Sequence, residues 1–471
     1  MLNRFFRLQE NGTNIRTELL AGLTTFLTMA YIIFLQPAVL SGRLLGRETG
    51  MDFGAVMTAT CLAAALATAL MGLWARLPIA QAPGMGENFF FVLTAIPVAA
   101  AAGHPEPWRA ALGAVFVSGV LFLLLAVSGF RQKLIDAVSP GLKSSMAVGI
   151  GAMIAFIGLQ NAGLIVKDPG TAVRLNPQLL SPDLLVFGVG LLTTGTLLAR
   201  GVRGAVLWGI GTAAVAAMVL RGVAGWLPET WRGAAWWAES QLMTRFQWPT
   251  GIVAAPPSVS PTFLHMDLGA ALSWSMLPVV VVFLFMDVFD TMGTLVGVTE
   301  AAGLSRDGQL PGGNRALLSD AAGTVVGAAL GTSTVTSFIE SAAGVEQGGR
   351  TGLTAVTTAV LFLLALFFSP LVAMVGSYPP LTAAALVAVG LLMMRGVTRI
   401  PWDDATEALP AFLIILGMPL TMSVGDGLAL GLMAHPLLKL LAGRRREINW
   451  LMTGLALVLL AYFAFVRSRL G

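Results

Sequence analysis

Long apolar runs recur along the whole chain, separated by short polar or Gly/Pro-rich breaks. Many reach the ~20 residues that a membrane-spanning helix needs. Read by run and breaker, the first half predicts spans at 17–40 (Pro37 marking the end), 54–74, 108–130, 140–166, 182–199 and 204–225. The third span, starting near Pro78, is anomalous, because PIAQAPGMGENFFFVLTAIPV puts Gly, Pro and polar residues inside an apolar context. The second half predicts 268–300, 317–330, 331–345, 351–375, 379–394, 407–422 and 426–441. The tenth span repeats the anomaly with GTSTVTSFIESAAG. A further apolar run at 450–466 reads equally as an extra span or an interfacial segment.

The pattern divides the chain into a lead-in (1–16), a first seven-span unit (17–226), a Trp/Pro-rich connection (227–266), a second seven-span unit (267–442) and a basic, then apolar tail (443–471). An odd number of spans per unit inverts the second relative to the first, and inverted repeats are a common transporter architecture. The fold class is therefore an all-α polytopic membrane protein with 14 transmembrane segments as two inverted repeats. A matched pair of interrupted segments, here in spans 3 and 10, is the sequence pointer to a central site. Residues 80–85 and 331–338 suit short extended strands, each followed by a half-helix. Two such strands can pair across the pseudo-symmetry axis and satisfy each other's backbone.

Composition agrees with this reading. The 471 residues are 56% hydrophobic and 11% charged, against about 25% charged in soluble domains, and the mean hydropathy is +0.81. The net charge of +4 does not point to nucleic acid, because the Arg and Lys fall in short loops. With the N-terminus inside, Arg76, Arg131, Lys133, Arg200, Arg203, Arg306, Arg315, Arg350, Arg395, Arg399 and Arg444 to Arg446 all lie on the inner side. That is the positive-inside distribution and predicts a multi-pass protein of the inner membrane with a cytoplasmic N-terminus. The lead-in has no cleavable leader pattern and offers Phe5, Phe6 and Leu8 to the membrane interface. Trp226, Trp231, Trp236, Trp237 and Trp248 mark the central connection as interfacial or extracellular. Cys61 reads as a packing thiol, and His104, His265 and His435 show no metal-ligand spacing. No metal or organic cofactor is expected.

Carboxylates at membrane depth are costly and read as functional. FLFMDVFDTMGT places Asp287 and Asp290 one helical turn apart, with Thr291 and Thr294 beside them. Glu340 opens the second half-helix, and Glu87 and Asn88 the first, followed by Phe89 and Phe90. One aromatic face with donors and acceptors along an edge suits a planar heterocycle. A buried carboxyl that takes a proton on one side and releases it on the other supplies ion coupling. Packing readings stand beside these. Asp287 can cap a neighbouring half-helix, and Glu87 can pair with an Arg instead of carrying a proton. Asp403, Asp404 and Glu407 fit a helix N-terminus, and Glu346 with Arg350 fits an i, i+4 pair.

RFFRLQENGTNIRTELLAGLTTFLTMAYIIFLQP, QAPGMGENFFF, FMDVFDTMGTLVGV and TSFIESAAGVEQGGRTGLTAV together resemble the AzgA-like purine permeases. These form the adenine/guanine/hypoxanthine branch of the nucleobase:cation symporter-2 family. The resemblance implies a core domain (spans 1–4 and 8–11) moving against a gate domain (5–7 and 12–14), purine substrates, proton coupling and a homodimer. By motif position it implies substrate contact by Asp290, Thr294, Glu340, Ser341, Asn88 and Phe89; Asp287 and Glu87 are read from their own chemistry, not from the resemblance, as coupling protons or supporting the site. Two positions depart from the family pattern: Glu87 stands where an apolar residue is expected, and Gln36 where Asn is. Uracil or xanthine permeases of the same family, and anion transporters of the same fold, remain as alternatives. A membrane-embedded hydrolase would need a nucleophile and base, and no GxSxG, HExxH or Ser/His arrangement is present.

Overall fold

The computed structural model describes residues 2–128, 138–226, 228–301 and 313–461. The expected end of the fourth span, Arg131, Lys133, Arg306 and the end of the last apolar run lie outside these residues. The first half holds α1 (Ile15–Leu40), α2 (Phe53–Ala75), α3 (Met85–Ala101), α4 (Pro107–Ser128), α5 (Pro140–Asn161), α6 (Pro182–Ala199) and α7 (Ala205–Trp226). The second holds α8 (Leu277–Ala301), α9 (Gly313–Leu330), α10 (Ser341–Glu346), α11 (Gly352–Ser377), α12 (Pro379–Arg399), α13 (Ala405–Thr421), α14 (Val424–Leu441) and a terminal α15 (Trp450–Ala461). Ten of these helices are long and apolar enough to cross a membrane. The other four predicted spans correspond to α3, α9, α10 and α13, which are shorter or more polar.

Local sequence sets these helices. Asn14, Asp52, Ser139, Ser181 and Ser423 each accept a backbone N–H in the first turn of the helix that follows, which satisfies donors that the helix itself cannot pair. Pro140, Pro182 and Pro379 occupy first-turn positions, where a missing N–H costs nothing. Within α3 the chain widens into a π turn at Phe91–Ala95, just ahead of Pro97, whose ring and absent N–H disfavour a regular turn there.

The halves pack as an exchange of equivalents. Helix α4 lies on α9 as α11 lies on α2; α5 lies on α13 as α12 lies on α6; α6 lies on α7 as α13 lies on α14. Two bodies result, one from α1–α4 with α8–α11 and one from α5–α7 with α12–α14. Close helix approach needs small residues. A methyl on Gly72 of α2 would stand 2.6 Å from the carbonyl oxygen of Gly352 in α11. Glu18 of α1, fully buried, ties the same region by accepting the Arg350, Thr351 and Thr354 amides at the start of α11 at 2.9, 3.3 and 3.1 Å.

Several boundaries differ from the sequence reading. Helix α5 stops at Asn161, and residues 165–175 form a hairpin of β2 (Ile165–Asp168) and β3 (Ala172–Leu175). Gly163 at φ +75° ends the helix, and Asp168 accepts the Gly170 and Thr171 amides in the turn. The eighth run breaks into a short helix at Leu268–Ala271 and then α8, because Ser273, Ser275 and Pro278 interrupt the apolar pattern. The lead-in folds back on the protein, with Phe6 and Leu8 buried on Leu353 and Val356. Arg350 donates to the Val345 and Gly349 carbonyls, not to Glu346. The Trp-rich connection docks through Asp183, which accepts the Gln241 and Leu242 amides at 2.9 Å each and the Tyr378 hydroxyl at 2.6 Å. Asp404 caps α13 as expected, but Glu407 goes further, meeting Ser139 at 2.6 Å and both His435 and Lys439 at 3.0 Å.

Candidate functional site

The two interrupted segments meet at the middle of the first body. Strand β1 (Gln81–Pro83) pairs antiparallel with β4 (Val335–Ser337), Gln81 opposite Ser337 and Pro83 opposite Val335. The pairing extends through Gly84 N–H to the Thr334 carbonyl at 3.0 Å and Phe338 N–H to the Ala80 carbonyl at 2.9 Å. Each strand thereby satisfies the backbone of the other, as non-helical chain at membrane depth requires. Pro83 has no N–H, so the ladder is short.

Side chains lock this crossing from behind. Asp320 of α9 is fully buried and accepts from Gln81 Nε2 at 2.6 Å, Ser337 Oγ at 2.8 Å and Thr291 Oγ1 at 2.6 Å. It joins both strands to α8. Thr291 also meets Thr336 at 2.8 Å. Asp287 takes a bond from Thr324 at 2.9 Å, and Thr324 Oγ1 in turn accepts the Val335 amide at 3.2 Å. Asn88 sits between Gln36 of α1 and Ser333, bonded to both, while Gln36 Nε2 donates to Thr332 at 2.8 Å and Ser333 at 3.1 Å. The Gln36 departure is thus structural, since its longer arm ties α1 to the turn ahead of β4.

The front of the crossing is open. Asp290 is exposed and Glu340, at the N-cap of α10, is half-buried. The two carboxyls interact electrostatically, and both act on Tyr31 of α1. The Tyr31 hydroxyl donates to Glu340 Oε1 at 2.6 Å. The Asp290 face of α8 continues through Gly293, where a methyl would meet nothing within 4 Å, to Gly297 beside Ile339. Two acids, one of them held by a buried phenol, therefore flank an open glycine face of α8, and both can accept N–H groups from a flat molecule.

The structure sorts the sequence candidates. Asp290 and Glu340 come together at this opening. Thr294, one turn beyond Asp290, is buried below it. Asn88 and Ser341 are engaged in the framework, Ser341 Oγ accepting the Ala80 amide at 3.0 Å. Phe89 is fully buried, and Phe90 packs edge-on against Phe283 at 4.7 Å between centroids. Asp287 is buried behind the crossing. Glu87 is buried over Gly84, its carboxyl against the Gly84 α-carbon and beside the Thr336 methyl. Among the described residues it has no Arg partner. Tyr31 and Asp320 were not singled out by sequence. Asp320 carried a usable signal, an acid within the apolar run LLSDAAGTVV; Tyr31 carried none.

Comparison with known proteins extends this. The family model described as a permease family (Xan_ur_permease) matches residues 16–430. The chain is 46% identical to a putative permease of Methanocaldococcus jannaschii, covering 99% of this chain and 98% of that one. It is 42% identical to the guanine/hypoxanthine permease PbuG of Bacillus subtilis (99% and 100%). It is 39% identical to the adenine permease AdeP of Escherichia coli (99% and 96%). In fold it is similar to the transmembrane domain of the cyanobacterial bicarbonate transporter BicA, with TM-score 0.58 and 15% identity over 89% of this chain and 97% of that one. It is also similar to the murine Slc26a9 anion transporter in the inward-facing state, with TM-score 0.57 and 12% identity over 91% and 69%.

Proposed function

Because the chain belongs to the xanthine/uracil permease family of membrane transporters, we propose that it imports purine nucleobases by proton symport, its first body carrying the site past the second. The observation that carries the reading is the convergence of Asp290 and Glu340 on one opening, in a chain similar over nearly its full length to guanine/hypoxanthine and adenine permeases. A purine presents ring and exocyclic N–H groups on its edges. Glu340, held by Tyr31, accepts from one edge and Asp290 from the other. Hydrogen bonds to charged acceptors contribute about 1.5–3 kcal/mol each, enough to orient a small base. The site lies on the body that carries both half-helices. The second body meets that body through small contacts such as Thr94 with Ser423 at 3.3 Å, which suits sliding of one against the other.

The test is uptake of radiolabelled hypoxanthine by cells making the wild type, Glu340→Gln and Asp290→Asn. Loss of one charged bond predicts a fall of about tenfold or more in each variant. Uptake at wild-type level in both sinks the assignment. Collapse of the pH gradient by a protonophore is expected to abolish accumulation; accumulation that instead follows sodium refutes proton coupling. A thermal-shift panel of purine and pyrimidine bases identifies the class directly, since a ligand that binds only the folded state raises its melting temperature.

A further inference from the structure

We propose that Glu87 carries a second transported proton, so that each purine moves with two protons instead of one. This rests on the purine–proton symport reading above and assigns Glu87 a role that the position does not have in a chain with an apolar residue there.

The geometry is specific. Glu87 is 3% exposed, and its carboxyl folds back on its own first turn, against Gly84. It does not reach the opening between Asp290 and Glu340. It does join acids from two other helices at the crossing: the carboxyl lies beside Thr336 of β4, whose hydroxyl meets Thr291 of α8 at 2.8 Å, and Thr291 bonds Asp320 of α9 at 2.6 Å, with Asp290 of α8 one residue before Thr291 and close enough to act on it electrostatically. Asp287 of α8 faces Glu87, Asp320 and Asp290 in turn, and its Oδ1 is buried with no hydrogen-bond partner among the described residues. No Lys, Arg or His pairs with Glu87, Asp287, Asp290 or Asp320 among the described residues. The other elements packed on this half-helix bring Gln36 from α1, Ile150 from α5, whose first turn also holds Lys143 with its ammonium 5.5 Å from the Phe289 ring centroid, and α14 with the buried Asp426.

Acids gathered on one crossing, most of them buried and none in an ion pair among the described residues, share protons and do not all ionise together. Asp320 spends its oxygens on three fixed donors, and Asp290 faces the opening. Glu87 is the member with neither a fixed side-chain donor nor access to the substrate. It is placed to hold a proton that responds to the charge on Asp290. When a purine N–H bonds the Asp290 carboxylate, that charge is fixed, and a proton on Glu87 relieves the repulsion. The step forms one O–H bond on the Glu87 carboxyl from an external proton and breaks it on release to the other side. The purine is neutral, so each additional proton carries one positive charge.

Purified protein in proteoliposomes tests this at zero membrane potential. With a tenfold inward proton gradient, hypoxanthine accumulates about a hundredfold for two protons and about tenfold for one. The wild type is expected to reach the higher limit. Glu87→Gln and Glu87→Leu are expected to reach the lower one while keeping hypoxanthine binding by thermal shift, and Glu87→Asp to restore the higher. A wild-type limit of about tenfold overturns the proposal without any variant. Equal limits in wild type and either neutral variant overturn it as well. Wild-type vesicles that bind and move no purine refute the underlying transport reading instead.

Discussion

Asp320 gives the sharpest test of how the crossing is held. It is fully buried and receives three hydrogen bonds, at 2.6, 2.8 and 2.6 Å, from Gln81, Ser337 and Thr291. Asp320→Ala removes the acceptor and leaves those donors without it. Ser337 and Gln81 keep a 3.2 Å contact with each other, and Thr291 keeps Thr336 at 2.8 Å, so the loss is partial. At about 1–3 kcal/mol for each unsatisfied buried group, two effective losses come to about 2–6 kcal/mol. Asp320→Asn preserves shape. Its carbonyl can take the Gln81 and Ser337 bonds, and the Thr291 hydroxyl can turn to accept its amide, so about 1–2 kcal/mol is expected. The assay is thermal unfolding in lipid nanodiscs followed by intrinsic tryptophan fluorescence, with hypoxanthine binding measured alongside. The order wild type, Asn, Ala in melting temperature is the prediction. Ala at or above Asn would falsify the view that Asp320 clamps the two strands, because volume and not acceptor geometry would then govern the site.

Three further outcomes follow from named contacts. Tyr31→Phe removes the 2.6 Å bond from a buried hydroxyl to Glu340, so purine affinity in a binding assay should fall by about tenfold, with a loss of melting temperature corresponding to about 1–3 kcal/mol. Gly84→Ala drives a methyl into the Glu87 carboxyl and to 2.8 Å from the Thr336 methyl; overpacking of this kind costs about 1–3 kcal/mol, read as lost melting temperature, and Glu87→Ala in the same chain should restore part of it. Outside the membrane, hydrogen bonds from Thr406 and Arg444 hold the Asp404 carboxyl well below its ordinary 3.8, and Arg444 and Lys439 hold Glu447 below its ordinary 4.5. Depressed acids stabilise the fold above their unfolded values and lose that stabilisation as pH falls through the folded ones. Melting temperature should therefore drop below about pH 4.5, and less steeply in Arg444→Ala.

The sequence made the crossing legible because its signals are local. Gly, Pro and Thr at 80–86 and 331–338 forbid a continuous helix wherever the chain folds, so strand, break and half-helix could be read directly, and β1 with β4 follows. The hairpin at 165–175 was equally local, since Asp168-Pro169-Gly170 between two β-branched stretches is a turn signal; the apolar run through α5 outweighed it. Asp320 was not readable as a hub, because its three donors come from residues 81, 291 and 337 and only tertiary folding collects them. Asn88 and Phe89 show a different limit. Their segment was located, but the rotation of a short helix about its axis is set by neighbours, and here it turns Asn88 to Gln36 and Ser333 and buries Phe89 in the core.

Shared architecture with a bicarbonate transporter and an anion transporter sharpens what the side chains decide. Half-helices that start near the centre of such a fold aim backbone N–H groups and a positive dipole end at whatever lies between them, an arrangement that favours an anion. In this chain each start carries its own carboxyl: Glu87 within the first turn of α3 and Glu340 at the N-cap of α10. Asp290 and Glu340 border the opening and Glu87 lies buried behind it, so acceptors and negative charge face what enters, and no Lys or Arg is bonded to these acids among the described residues. An anion entering here meets repulsion on both sides. A neutral ring with N–H groups on two edges meets acceptors on both, and the proton symport proposed above would neutralise charge that burial otherwise penalises. Sulfate and bicarbonate should therefore fail to compete with purine binding even at concentrations far above that of the base. Competition by either would mean that the helix dipoles, and not the carboxyls, govern the site.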